Sequence, residues 1–287
     1  LDFVSGVVGI VPESAIQVIG EGPAVPSAQI RKIIIEESKR ANVGHIGSAL
    51  SIADIIAVLF AGVVRAAGTD DPDRDRFILS KGHAALALYA ALSLKGILSE
   101  SQLRTYCSDG SCLGVHPEHH LEGIDFSTGS LGLGLSFGAG VALAARLHGR
   151  DYRAFVLVSD AECNEGSLWE TVMFAGHHGL SNLVAIVDNN GQQALGKTRD
   201  VIDLEPLGDK WRAFGWDAYE VDGHDTTALQ EAFAAIDGST GRPSVVIANT
   251  VCGKGVSFME GKVEWHYMPL SNEQHAQALK ELDGGDQ

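Results

Sequence analysis

The second half of the chain alternates between two kinds of hydrophobic pattern. "RAFVLVSD", "NLVAIVDN" and "PSVVIANTV" are short and apolar throughout, and "WDAYEVDG" is a fourth strand-length run. Between them, "EGSLWETVMFAGHHG", "LEPLGDKWRAFG" and "TTALQEAFAAIDG" carry apolar residues at helical spacing. Apolar strands joined by helices predict an α/β fold: one doubly wound, mostly parallel sheet with helices on both faces. The first half reads as helical. "SAQIRKIIIEESKRA" is expected to be capped by Ser27, with Ile30, Ile33, Ile34 and Ser38 on one face. "SIADIIAVLFAGVV" is expected to be capped by Ser51, and "GHAALALYAALSLKG" forms a buried third helix. A loop over residues 107–130 precedes "LGLGLSFGAGVALAARLHG", whose small residues suit close packing, and "SNEQHAQALKELDGG" ends the chain as a polar helix. Residues 1–26 show no period and read as an extended arm, either a loose terminus or one lying on a partner subunit. Residues 27–287 read as one domain.

Composition narrows the partners. A net charge of −16 over 287 residues argues against a nucleic-acid backbone or an anionic membrane surface. A local pocket for a phosphorylated ligand stays open. The N-terminal stretch has no basic leader, and no run approaches the ~18 apolar residues of a membrane span. With four cysteines among 287 residues, a reducing cytoplasm is the expected setting. Cys107 and Cys112 with His116 and His119 do not have the spacing of a closed zinc site. Gly132, Gly134 and Gly138 come near a dinucleotide fingerprint but lack a strand before them, so helix packing explains them better.

Two of the predicted strands end in oxygen-bearing side chains one crossover apart. Asp160 follows "FVLVS", and Asn190 follows "LVAIVDN". In doubly wound sheets ligands sit beyond the carboxyl ends of the strands. The residues after Asp160, from Asn164 to Gly166, open a helix whose N–H groups suit an anion. Ala161 is small enough for a phosphate to approach the main chain. An aspartate beside a phosphate implies a divalent cation between them, and a hard ion takes oxygen ligands. Asp160, Asn190 and the backbone carbonyl of Gln192 could supply three. Capping and turn roles would also place Asp and Asn at strand ends.

The stretch from Asp160 to Asn190 resembles the thiamine-diphosphate motif of transketolases, Gly-Asp-Gly followed about one crossover later by Asn. Here the triplet is Ser159-Asp160-Ala161. "ANVGHIGSALSIAD" is similar to the family's Ser-Gly-His-Pro-Gly element, with Val43 and Ile46 replacing Ser and Pro. "DRFILSKGHAALALY" resembles its Ser-x-Gly-His element. "GVHPEHHLEGIDFSTGSLGLGLSFGAGVALA" resembles the His-Pro-Glu and Thr-Gly-x-Leu-Gly-x-Gly elements. In order, they cover roughly residues 28–282.

The resemblance implies the diphosphate-binding (PP) half of a thiamine-diphosphate fold. The cofactors implied are thiamine diphosphate and Mg²⁺, or another divalent cation such as Ca²⁺ or Mn²⁺, held by Asp160, Asn190 and Gln192. His83 and the Ala161 backbone would hold the diphosphate. Gly129, Ser130 and Leu131 would contact the ring system, and a tight turn would equally favour Gly129. His45 and His116 would bind sugar hydroxyls, and His266, in a loosely matching segment, would touch cofactor and substrate. Glu165 would connect paired active sites, though an acidic residue at a helix start is also favourable in its own right.

By the resemblance, the pyrimidine-binding domain of a full transketolase is expected on a separate chain. The implied architecture is therefore a split enzyme, an α2β2 heterotetramer with a C-terminal subunit. It would transfer a two-carbon ketol unit from a ketose or ketose phosphate to an aldose. Three alternatives stand beside it. They are an α subunit of a 2-oxoacid dehydrogenase, a relative that makes deoxyxylulose phosphate, and a non-catalytic scaffold, the last motivated by Ser159 and Ala161.

Overall fold

The computed structural model of the chain describes residues 24–284. The arm read over residues 1–26 therefore lies, up to Pro23, outside the described residues. The strands are β1 (Arg76–Leu79), β2 (Ala154–Ser159), β3 (Leu183–Asn189), β4 (Gln192–Gln193), β5 (Gly196–Lys197), β6 (Asp217–Asp222) and β7 (Ser244–Asn249). Five of them form a parallel sheet in the order β1-β2-β3-β7-β6, while β4 and β5 make a small antiparallel hairpin. The helices are α1 (Ser27–Ala41), α2 (Ile46–Ser51), α3 (Ala53–Val58), α4 (Ala85–Leu94), α5 (Glu100–Leu103) and α6 (Gly134–Leu147). They continue with α7 (Gly166–His178), α8 (Thr198–Val201), α9 (Leu207–Ala213), α10 (Thr226–Ala234) and α11 (Asn272–Gly284).

Period-two alternation of the strands divides the apolar interior into two cores. Phe155, Leu157, Val184 and Ile186 pack with α1, α3, α4, α10 and α11. Val156, Val158, Ala185 and Val187 pack with α6, α7 and α9. Both faces of the central strands are thus covered, which is why those strands read as uninterrupted apolar runs. The doubly wound α/β architecture expected from the pattern is the one observed.

The glycines of α6 explain the near-fingerprint. A Cβ on Gly138 would lie 2.3 Å from Cγ2 of Val156, and one on Gly134 would lie 2.2 Å from Oγ of Ser80. They let α6 press against β2 and the end of β1. Local expectations differ at several points. Pro26, not Ser27, precedes the first helical turn, with no side-chain cap. Ser51 closes α2 instead of opening a helix, because helix already begins at Ile46 and breaks at Ile52. The helix expected from Gly82 starts with a 3-10 turn over Gly82–Ala84. The helix expected to open at Asn164 begins at Gly166, after a 3-10 turn over Ala161–Asn164.

Candidate active site

Adjacent strands bring the two oxygen-bearing tips together. Ser159 of β2 stands opposite Asp188 of β3, and the Asp160 N–H donates to the Asp188 carbonyl at 3.1 Å. Asp160 is 1% exposed. Its Oδ2 accepts from the Gly191 N–H at 3.0 Å and from Thr198 Oγ1 at 2.7 Å, while its buried Oδ1 has no hydrogen-bond partner among the described residues. Burial pushes the Asp160 carboxyl up to about 6, against the opposing bond from Thr198. An oxygen stripped of water and left unpaired is costly unless something else satisfies it.

Asn190 is oriented by its neighbour. Its Nδ2 donates to Asp188 Oδ2 at 2.8 Å, so Oδ1 is held on the other side, where it accepts from the Gln192 N–H at 2.9 Å. Asp188 also takes hydrogen bonds from Lys81, from Ser51 Oγ at 2.8 Å and from Thr250 Oγ1. The lysine and the aspartate are both wholly buried. Neither Lys81 nor Asp188 was singled out from sequence as a site residue.

A cavity of about 320 Å³ opens beside these tips. Ala161, Asn190 and Gln192 form one wall. His45, His83, His116 and His266 line it as well, together with Gly129, Leu131 and Glu165. Asp160 is not part of the cavity lining, although Ser159 and Ala161 on either side of it are. Ser130 is exposed and lines a separate depression with Leu133 and Phe137. Ser48, Cys252, Gln193 and Ala194 join the wall without having been picked out from sequence. Among the described residues, no lysine or arginine lines the cavity.

Three of the histidines form a triangle. Ring centroids lie 5.4 Å apart for His45 and His83, 5.1 Å for His45 and His266, and 5.2 Å for His83 and His266. Burial lowers all three, with further lowering from neighbouring imidazoles and, at His83 and His266, from Lys81: His83 goes well below the usual imidazole range and His266 falls to about 4. They are therefore neutral near pH 7, and each ring can donate at one nitrogen and accept at the other. His83 Nε2 is 2.8 Å from Ser48 Oγ. His45 has φ of 61°, a left-handed conformation uncommon for a residue with a Cβ. Its buried Nδ1 has no partner.

The remaining wall depends on close backbone approach. A Cβ on Gly129 would lie 3.2 Å from Cδ2 of His116, whose carbonyl accepts from Tyr89 Oη at 3.1 Å. Glu162, buried and unremarked in the sequence, accepts from Ser80 Oγ and from the Gly132 N–H at 2.8 Å. It fixes the end of β1 to the loop that carries Gly129 and Leu131. Ser159, in place of a motif glycine, accepts at Oγ from the Glu162 N–H at 3.1 Å. Glu165 is exposed at the N-cap of α7, with no side-chain cap bond.

Comparison with known proteins places this arrangement. The sequence pattern of "Transketolase, thiamine diphosphate binding domain" matches residues 25–286. The chain belongs to the transketolase family. It is 40% identical over 259 residues to one of the subunits of the apulose-4-phosphate transketolase of Phocaeicola vulgatus, covering 89% of this chain and 92% of that one. It is 41% identical over 257 residues to a 6-deoxy-6-sulfo-D-fructose transketolase subunit of Clostridium sp., covering 88% and 94%. The transketolase structure from Leishmania mexicana superposes with a TM-score of 0.83 at 30% identity, covering 92% of this chain and 42% of that one. This transketolase-family chain thus matches nearly the full length of the two subunits, but about two-fifths of the Leishmania mexicana transketolase chain. Among the described residues, no helix is long and apolar enough to cross a membrane.

Proposed function

We propose that this chain is the diphosphate-binding subunit of a two-component transketolase, holding thiamine diphosphate through a divalent cation. The observation that carries the reading is the unpartnered Oδ1 of Asp160 beside a cavity whose wall has no lysine or arginine. A diphosphate entering there meets the neutral imidazoles of His45, His83 and His266, so its charge needs a bound cation. Among the described residues, no group of three or more His, Cys, Asp or Glu side chains could hold a metal by itself. A hard ion such as Mg²⁺ binds through one or two carboxylates plus ligand phosphates. Asp160 Oδ1, Asn190 Oδ1 and the Gln192 carbonyl would hold it.

When bound, the cofactor supplies a nucleophilic carbon and an electron sink for breaking a carbon–carbon bond. His83, with Ser48 on its Nε2, donates toward the diphosphate. His45, His116 and His266 hold or move protons at the hydroxyls of a ketose donor, as imidazoles can. Gly129 and Leu131 support the ring system, and Glu165 faces a second copy across an α2β2 assembly. The pyrimidine-binding wall comes from a separate C-terminal subunit, consistent with relatives named as transketolase subunits that this chain covers almost end to end.

The chain alone should show no turnover. Mixing it with that subunit, Mg²⁺ and thiamine diphosphate should restore ketol transfer between sugars without decarboxylating pyruvate. Full activity of the isolated chain would refute the division of labour. Absence of any metal-dependent thiamine diphosphate binding, with or without the partner, would instead support a scaffold.

A smaller test concerns the His45 wall. A Cβ on Gly44 would lie 2.3 Å from the Tyr267 carbonyl oxygen. Gly44→Ala should push the His266 segment away from His45 and weaken thiamine diphosphate binding by roughly tenfold, as 1 Å displacements in sites do. Calorimetric titration of the assembled enzyme checks this, and unchanged affinity would show that the wall tolerates the shift.

A further inference from the structure

Behind the histidine wall lies a chain of contacts anchored on Asp54 of α3. Arg31 of α1 grips its carboxylate with both terminal nitrogens, Nη1 reaching Oδ1 at 3.1 Å. Asp54 Oδ2 also accepts from His224 Nδ1 at 2.8 Å. The other ring nitrogen of His224, Nε2, accepts from the Val251 N–H at 2.9 Å. Burial alone would raise the Asp54 carboxyl, but the bonds from His224 and Arg31 hold it well below the usual carboxylate range. It is an anion, so the Nδ1 of His224 carries the proton and Nε2 is free to accept. The remaining groups near the ring are consistent: the His224 N–H donates to Asp222 Oδ1 at 2.8 Å, and Arg31 Nε donates to the Lys254 carbonyl at 3.2 Å.

Val251 begins the segment that leaves β7 and enters the cavity wall. Thr250 bonds to Asp188, Cys252 lines the cavity, and the Gly253 N–H donates to the Gly47 carbonyl at 2.9 Å. A Cβ on Gly47 would lie 2.7 Å from Sγ of Cys252. The 250–253 segment and the start of α2 are therefore fitted against each other, and His45 stands two residues before Gly47 in its left-handed conformation.

We propose that His224 is a positioning residue for the cavity: bridging Asp54 and the Val251 amide, it holds the 250–253 segment against Gly47 and so sets where His45 and Cys252 stand. The imidazole suits this because it is donor and acceptor at once; Lys and Arg only donate, and a carboxylate only accepts. The inference rests on reading the cavity as the cofactor site, but the clamp itself can be tested apart from that reading.

The test compares His224→Leu with His224→Gln, whose amide also offers one donor and one acceptor. Hydrogen exchange reads the clamp, and titration of thiamine diphosphate with Mg²⁺ and the partner subunit reads its use. In the leucine variant, amides of residues 250–253 should exchange at least about tenfold faster while β2 and β3 stay protected. Cofactor affinity should fall about tenfold, the range seen when a group that orients a ligand residue is removed. The glutamine variant should recover both to within about threefold of the parent. His224→Asn, too short to reach both partners, replaces the leucine variant should that one not fold.

Unchanged exchange over residues 250–253 overturns the clamp. Faster exchange with parental affinity, or a glutamine variant no better than leucine, overturns the positioning role. A parent enzyme that never binds thiamine diphosphate overturns the reading of the cavity, and the exchange comparison still decides the clamp.

Discussion

Replacing Asp160 by Asn should make the isolated chain more resistant to heat and remove its response to Mg²⁺. The folded chain buries this carboxyl and pushes it up to about 6 from an ordinary 3.8, chiefly by stripping it of water. An unfolded chain releases the proton near 3.8, whereas the folded chain keeps it until about 6. Folding therefore takes up a proton between those values, so stability falls as pH rises through that window and stays lower above it. The difference corresponds to roughly 3 kcal/mol at neutral pH. Asn keeps an oxygen for the Gly191 N–H and Thr198 while removing the charge. A rise of several degrees in Tm is expected at about pH 7.5, shrinking toward nothing near pH 4. In the assembled enzyme the same change should weaken thiamine diphosphate binding by about 100-fold or more, since the one carboxylate offered to the metal is gone. In the parent, affinity should drop about tenfold per pH unit below 6, as protons compete with the ion for Oδ1. A D160N chain that melts earlier at neutral pH, or that binds Mg²⁺ and cofactor as the parent does, would remove Asp160 from the metal site.

Much of this was legible in the sequence because the relevant patterns are local. The apolar runs of β2, β3 and β7 are continuous, which only a sheet covered on both faces produces, and the doubly wound layout follows from that. The ends of adjacent parallel strands then put Asp160 and Asn190 side by side without further information. What was hidden depends on three-dimensional neighbours. The strand β1 is four residues long, begins at a charged Arg76, and runs into a 3-10 turn, so neither length nor alternation marks it. Ser51 looked like a helix cap because it precedes an amphipathic stretch; in the fold it is buried and donates to a carboxylate 137 positions away. Glu162 and His224 carry no local signature at all. Asp188 stands at a strand end in the sequence, yet its ion-pair partner Lys81 lies 107 positions away and has no local signal. The candidate side chains on strand tips could be read from spacing, whereas the groups that orient them are contributed by distant segments.

The buried pair behind Asn190 allows stability and site geometry to be separated. Lys81 and Asp188 are both wholly inaccessible to water, and Lys81 also donates to the Ser48 carbonyl at 3.1 Å. Lys81→Met would leave a carboxylate in the interior with only the neutral donors Ser51, Asn190 and Thr250. Breaking one side of a buried pair costs about 3–5 kcal/mol, and those three hydrogen bonds should hold the loss near the lower figure. Urea unfolding of the isolated chain reads it as a lower midpoint at unchanged slope. Adding Asp188→Leu removes the stranded charge, and stability should return most of the way, because apolar replacement of a buried pair is often close to neutral. Cofactor binding should nonetheless weaken in this double variant. Without the Asp188 carboxylate, nothing holds Nδ2 of Asn190 on the inner side, and its Oδ1 is no longer fixed toward the cation. The double variant is expected to fold like the parent yet bind thiamine diphosphate and Mg²⁺ about 10- to 100-fold more weakly, as when a group that orients a metal ligand is lost. Parental affinity in that variant would mean that the strand tip alone orients Asn190, and that the buried lysine and aspartate serve only the fold.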